Sequence, residues 1–129
     1  MTNQDHVNKC LEIFEQVAAV LKLKNYTILP MQRKDLKNAK SCTVGYINFA
    51  QQKIVIDVFT PAKGQPKAYA SIIRILAHEA AHIKKPPYRS LYKGHFITRQ
   101  HYPAFYRQVT KNIKKLKKNK ILYPYFEKN

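Results

Sequence analysis

Acidic side chains are scarce in this chain, and the shortage has consequences. Seven Asp and Glu stand against 24 Lys and Arg, a formal net charge of +17. Between Ala80 and Phe126 there is no Asp or Glu at all, against twelve Lys and Arg. Any metal ligand in that stretch must therefore be something other than a carboxylate. Cysteine is equally sparse. Cys10 and Cys42 form no C-x-x-C pair and are too few for a disulfide framework, so both are expected as reduced thiols. No run of eighteen or more apolar residues is present, which excludes a membrane-spanning helix and a membrane partner of that kind. The opening Met1 to His6 is polar and lacks the apolar core of a signal peptide, so the expected location is intracellular, cytoplasmic or nuclear, and not secreted. At 129 residues and 45% hydrophobic content, the chain suits one domain, 1–129, with a single modest core.

The periodicities point to an α+β fold. Val7, Leu11, Phe14, Val17, Ala18 and Leu21 recur every three or four residues, which predicts a helix capped by Thr2 or Asn3 and running to about Lys24. Tyr26 to Leu29 reads as a short strand stopped by Pro30, and Gln32 to Ser41 as a polar loop or strand edge. Cys42 to Phe49 and Lys53 to Phe59 are β-branched and aromatic, and flank Ala50-Gln51-Gln52 as a hairpin would. The second of these strands is a candidate edge for an added peptide strand. Thr60 to Gln65 reads as a loop. A second helix is expected from Pro66 to Lys85, ended by Pro86-Pro87. Tyr88 to Arg99 reads as an irregular connection. A third helix from His101 or Pro103 sets Phe105, Val109, Ile113 and Leu116 against a basic side of Arg107, Lys111, Lys114, Lys115 and Lys118. The tail from Ile121 to Phe126 suits a short strand or extended segment.

The second helix carries the chemistry. His78-Glu79-Ala80-Ala81-His82 is an H-E-x-x-H pentapeptide. Positions i and i+4 share one helix face, so two imidazoles so spaced can hold one Zn²⁺. The Glu between them falls beside a metal-coordinated water. A catalytic zinc takes three protein ligands and keeps one position open. After Glu79 the only acid is Glu127, near the C-terminus, which nearly excludes a carboxylate, and the downstream candidates for the third ligand are His95 and His101. His101 is favoured because it opens an amphipathic helix, with Phe105 one turn on to anchor it. His95 follows Gly94 in a predicted loop, where ligands are placed less well.

An H-E-x-x-H helix followed by H-x-P-x-F (His101-Tyr102-Pro103-Ala104-Phe105) resembles the SprT-like zinc peptidases, the group of Spartan and the WLM proteases. The Gly45-Tyr46 pair and the run from Lys53 to Asp57 also fit that layout, and the resemblance covers roughly Val44 to Leu116. It implies a minimal zincin-like domain: an N-terminal helix, a small antiparallel sheet with a hairpin, the active-site helix and a following basic helix. It also implies zinc on His78, His82 and His101, a catalytic Glu79, and cleavage of proteins. In several members those proteins are crosslinked to DNA. The chain departs from the family at Tyr102 and Ala104, where Gly and an acidic residue are frequent. It also departs in the eighteen residues between His82 and His101, and in having no cysteines for a C-terminal zinc ribbon.

In the expected mechanism Glu79 takes a proton from the attacking water and passes it to the leaving amine. A tyrosine would donate to the oxyanion: Tyr102 is nearest in sequence to the ligand, with Tyr88 and Tyr92 as rivals. The basic helix suggests non-specific contact with nucleic-acid backbone, since Lys far outnumbers Arg. Two other readings share the same residues. One is a basic nucleic-acid-binding module with a structural or absent zinc site. The other is a metal-dependent hydrolase of a non-peptide bond.

Overall fold

Helix α2 (Tyr69–Lys84) lies at the centre of the molecule. Ile72, Ile73, Leu76, Ala77, Ala80 and Ala81 are all buried, and they cover more of its circumference than one amphipathic stripe. Its neighbours explain this: two strands and all three other helices pack against it. A computed structural model describes residues 3–32, 45–60 and 64–127, and shows a small mixed α+β domain. In chain order the other elements are α1 (Asn3–Leu21), β1 (Thr27–Met31), β2 (Gly45–Asn48), β3 (Lys53–Asp57), β4 (Tyr88–Tyr92), β5 (His95–Arg99), α3 (Pro103–Lys117) and α4 (Tyr123–Glu127). Among the described residues no helix is long and apolar enough to cross a membrane.

The main sheet has the order β1-β3-β2. It is mixed rather than antiparallel: β1 runs parallel to β3 and β2 antiparallel to it. Pro30 does not stop β1 but lies within it opposite Ile56, which an edge strand tolerates because its outer N–H positions need no partner. β3 is the central strand, so its expected role as a free edge is not met. Ile54, Ile56 and Val58 are fully buried, and Val55, Asp57 and Phe59 nearly so. Among the described residues the free edge on the other side is β2. Gly45 opens that strand, and a Cβ there would lie 3.0 Å from Ile56 Cδ1, 3.1 Å from Ile75 Cγ2 and 3.1 Å from the Val55 carbonyl oxygen. The absence of a side chain lets β2 sit close against α2.

Helix α1 ends at Leu21, where Lys22 takes a left-handed φ of 58° and the Leu23 N–H reaches back to the Ala18 carbonyl. Near its start His6 is fully buried, stacks on Tyr69 and bonds through Nε2 to the Val58 carbonyl at 2.7 Å. It is a core histidine that ties α1 to the end of β3. Helix α2 begins at Tyr69, not at Pro66, which instead bridges Phe59 in an isolated pairing.

Two expectations fail in the second half. Tyr88 to Arg99 is no irregular connection: β4 and β5 form an antiparallel hairpin with Tyr88 opposite Arg99 and Tyr92 opposite His95. Its two-residue turn is Lys93-Gly94, both with positive φ (48° and 82°), as a tight hairpin with native strand twist needs. The tail forms the helical turn α4 rather than a strand, and Tyr125 and Phe126 pack on the core. The expected cap at Thr2, the loop after Gln32, Cys42 to Val44 and Pro61 to Lys63 lie outside the described residues.

Candidate metal centre

Helix α2 ends its run with His78 and His82 one turn apart, ring centroids 5.3 Å from each other. His101 arrives from outside the helix. It stands just before α3, whose start is fixed by Tyr102 in an extended conformation at the N-cap and Pro103 at the first turn. Packing of α3 against α2 then brings the third imidazole over the first two. One ligand nitrogen from each of His78, His82 and His101 lies within 4.8 Å of the others, so the three could hold one metal ion. His78 Nε2 and His101 Nε2 are 3.2 Å apart. Tetrahedral zinc with Zn–N bonds near 2.05 Å sets its nitrogens about 3.3 Å apart, so this pair already has a suitable spacing.

Protonation favours the same use. Burial, with the nearby His101, lowers the His78 pKa. Burial, then the proximity of His78 and His101, lowers that of His82 to about 4. Both rings are therefore neutral at pH 7 with lone pairs available, the form a metal needs. The remaining nitrogen of His82, Nδ1, is buried with no hydrogen-bond partner among the described residues. The ring is held by Phe105 instead. Phe105 is fully buried, stacks on His82 at 4.3 Å, and meets His78 and His101 edge-on at 4.9 and 5.1 Å. Asn112 of α3 fixes the helix pair from below: its Nδ2 donates to the Ala77 carbonyl at 3.0 Å, and Gln108 Nε2 donates to its Oδ1 at 2.9 Å. These two amides occupy buried positions that apolar periodicity alone does not mark.

Glu79 lines the same cleft of about 380 Å³ as the three imidazoles, with β2 forming its other wall. It is only 8% exposed, and burial pushes its carboxyl up to about 7. Tyr102 is not in this cleft. Its hydroxyl donates to the Pro86 carbonyl at 3.0 Å and its ring packs on Tyr88, tying the root of the hairpin to α3. Tyr92 is at the far end of β4. The tyrosine that lines the cleft is Tyr46 of β2. Its sequence signal was its place beside Gly45, whose lack of a side chain brings the strand to the helix. His95 is exposed on β5 opposite Tyr92 and is not part of the histidine cluster. Arg107, Lys111, Lys114, Lys115 and Lys118 are all exposed; Lys115 flanks the buried stripe of Phe105, Gln108, Asn112 and Leu116, and lines a cavity with Asn112. No protein-family model matches the chain, and neither a curated protein nor a solved structure matches it.

Proposed function

We propose that this chain is a zinc metallopeptidase of the SprT-like, zincin-like kind, with His78, His82 and His101 as ligands and Glu79 as general base. The observation that carries the reading is the convergence of three imidazoles with one buried carboxyl on a single cleft. A structural zinc would usually have four protein ligands and no use for Glu79. When bound, zinc supplies a Lewis acid that activates water and polarises a carbonyl. Glu79, next to the first ligand on the same helix, accepts the water's proton and returns it to the leaving amine. The low exposure of Glu79 keeps bulk water from competing for that proton. The edge of β2, which borders the cleft, can take a substrate backbone as an added strand, giving loose side-chain preference. The exposed basic side of α3 supports non-specific attraction to DNA and so to DNA-bound proteins.

The test joins metal content to turnover. Elemental analysis should find about one zinc per native chain, lost in His82→Ala and His101→Ala and kept in His95→Ala. Glu79→Gln should keep zinc and lose hydrolysis of an unfolded protein substrate. A folded native chain that takes up no zinc would sink the proposal. The exposed lysines of α3 also support a second reading, a nucleic-acid-binding module without catalysis. It requires DNA binding that survives chelation, together with no turnover by the zinc-loaded protein.

A further inference from the structure

The β4–β5 hairpin does not pack as a sheet of its size needs to. A two-stranded hairpin is marginal alone and normally rests one face on a core. This one contacts no other strand or helix among the described residues. It is joined to the body at its root, through Tyr88 against Tyr102 and the Tyr102 hydroxyl on Pro86. Yet it carries large apolar groups in the open: Phe96 is 67% exposed, Leu91 65% and Tyr92 50%. Register places Leu91 opposite Phe96, so these two share a face with Arg89, while Tyr92 and Arg99 share the other face.

Each ring is accompanied by a cation. The Arg89 guanidinium lies 5.1 Å from the centre of Phe96. Lys93 and Arg99 lie 5.3 and 6.0 Å from that of Tyr92. Lys84, Lys85, Arg89, Lys93 and Arg99 are the charges from Lys84 to Gln100, and no acid interrupts them. Flat rings interleaved with positive charge match a ligand that alternates flat bases with phosphates, provided the bases are unpaired and free to stack. A membrane fits less well. The tip that would enter first is Lys93-Gly94, a charge and a glycine. A duplex also fits less well, because its bases are already stacked.

The geometry points to the hairpin as a binding element for single-stranded nucleic acid that crosses from one face to the other, with Phe96 stacking on a base beside Arg89 on one face, Tyr92 stacking on a base beside Lys93 and Arg99 on the other, and the three cations on phosphates. This surface is separate from the basic side of α3 and does not depend on zinc. Its position has a consequence. The hairpin leaves α2 and returns to His101, and the residues at its two roots, Pro87 and Gln100, line the metal cleft. The root of the hairpin therefore borders the cleft, while Tyr92 and Phe96 stand at its far end, beside the turn.

The test measures fluorescence anisotropy of a short labelled oligothymidine, and of a duplex of equal length, against the full chain over a salt series. The native protein should prefer the single strand. Tyr92→Ser combined with Phe96→Ser should weaken oligothymidine binding by about tenfold or more, leaving its salt slope and the duplex affinity unchanged. Arg89→Ala should lower the slope by about one. Photocrosslinking of a strand bearing iodouridine to the native chain gives an answer that needs no variant, with attachment expected at Tyr92 or Phe96. The proposal is overturned if the native chain prefers duplex or the aromatic variant binds oligothymidine as well as native. Crosslinks confined to α3 overturn it too, as does binding of phosphatidylserine vesicles without oligothymidine.

Discussion

The ring of Phe105 lies against that of His82, centroids 4.3 Å apart and planes 27° from parallel. His82 Nδ1 is buried without a partner among the described residues, so the contact with Phe105, rather than a hydrogen bond at Nδ1, holds this ring. Phe105 also touches His78 and His101, so one side chain of α3 packs against all three imidazoles of the cluster.

Phe105→Leu should therefore leave a folded protein with weakened metal binding. Outer partners of metal ligands typically contribute about tenfold to a hundredfold in affinity, and a loss in that range is expected in competition with a chromophoric chelator. Phe105→Ala is the less useful variant, since emptying a fully buried site of this size costs about 3–5 kcal/mol in stability. Native zinc affinity in folded Phe105→Leu would show that the ring only fills space.

The sequence and the structure agree best where the signal is local. The i, i+4 spacing of His78 and His82 needs only a helix, and α2 is strongly patterned. His101 was readable because Pro103 and Phe105 mark the start of a packed helix. What failed depended on distant neighbours. The parallel pairing of β1 with β3 is invisible in either strand, and Pro30 looked like a stop because nothing local says that β1 is an edge. The apolar, aromatic tail suited a strand, but α4 forms where Asn119 Oδ1 accepts the N–H groups of Ile121 and Leu122 and the rings reach the core. The β4–β5 hairpin is faint in the sequence although Lys93-Gly94 suits a tight turn, because its strands are short and preceded by Pro86-Pro87. Tyr102 is nearest in sequence to His101, but its hydroxyl is committed to Pro86, and Tyr46 reaches the cleft from a strand far away in sequence.

Cys10 offers a check on the core that is independent of the metal. It is fully buried in α1, and desolvation raises its thiol pKa from 9.0 to about 11. At pH 8 the thiolate is then about a hundredfold rarer than in an unperturbed thiol, before access is considered. Alkylation mapped by mass spectrometry should find Cys10 nearly inert in the native protein and rapidly labelled in urea. The sign of the linkage follows. A folded pKa above the unfolded one favours the folded state fully below pH 9, and the gain disappears as pH rises through 11. The denaturation midpoint of the native chain should fall over that window more steeply than that of Cys10→Ala. Parallel curves would place Cys10 in contact with water.

Gly45 tests how closely the sheet must approach α2. An added Cβ would meet Ile56 Cδ1 and Ile75 Cγ2, both of which can shift, and the Val55 carbonyl oxygen, which belongs to the backbone of the central strand. The backbone contact cannot be relieved by a rotamer change, so β2 must move outward, away from β3 and α2. Gly45→Ala should lower stability by about 1–3 kcal/mol, the usual cost of overpacking, and this is readable as a lower urea midpoint. The cleft wall formed by β2 moves with it while the three histidines, held by α2 and α3, stay in place. Zinc affinity should then be unchanged and turnover of protein substrates reduced, mainly through KM. A variant that loses zinc as readily as His101→Ala would instead show that β2 supports the ligands themselves.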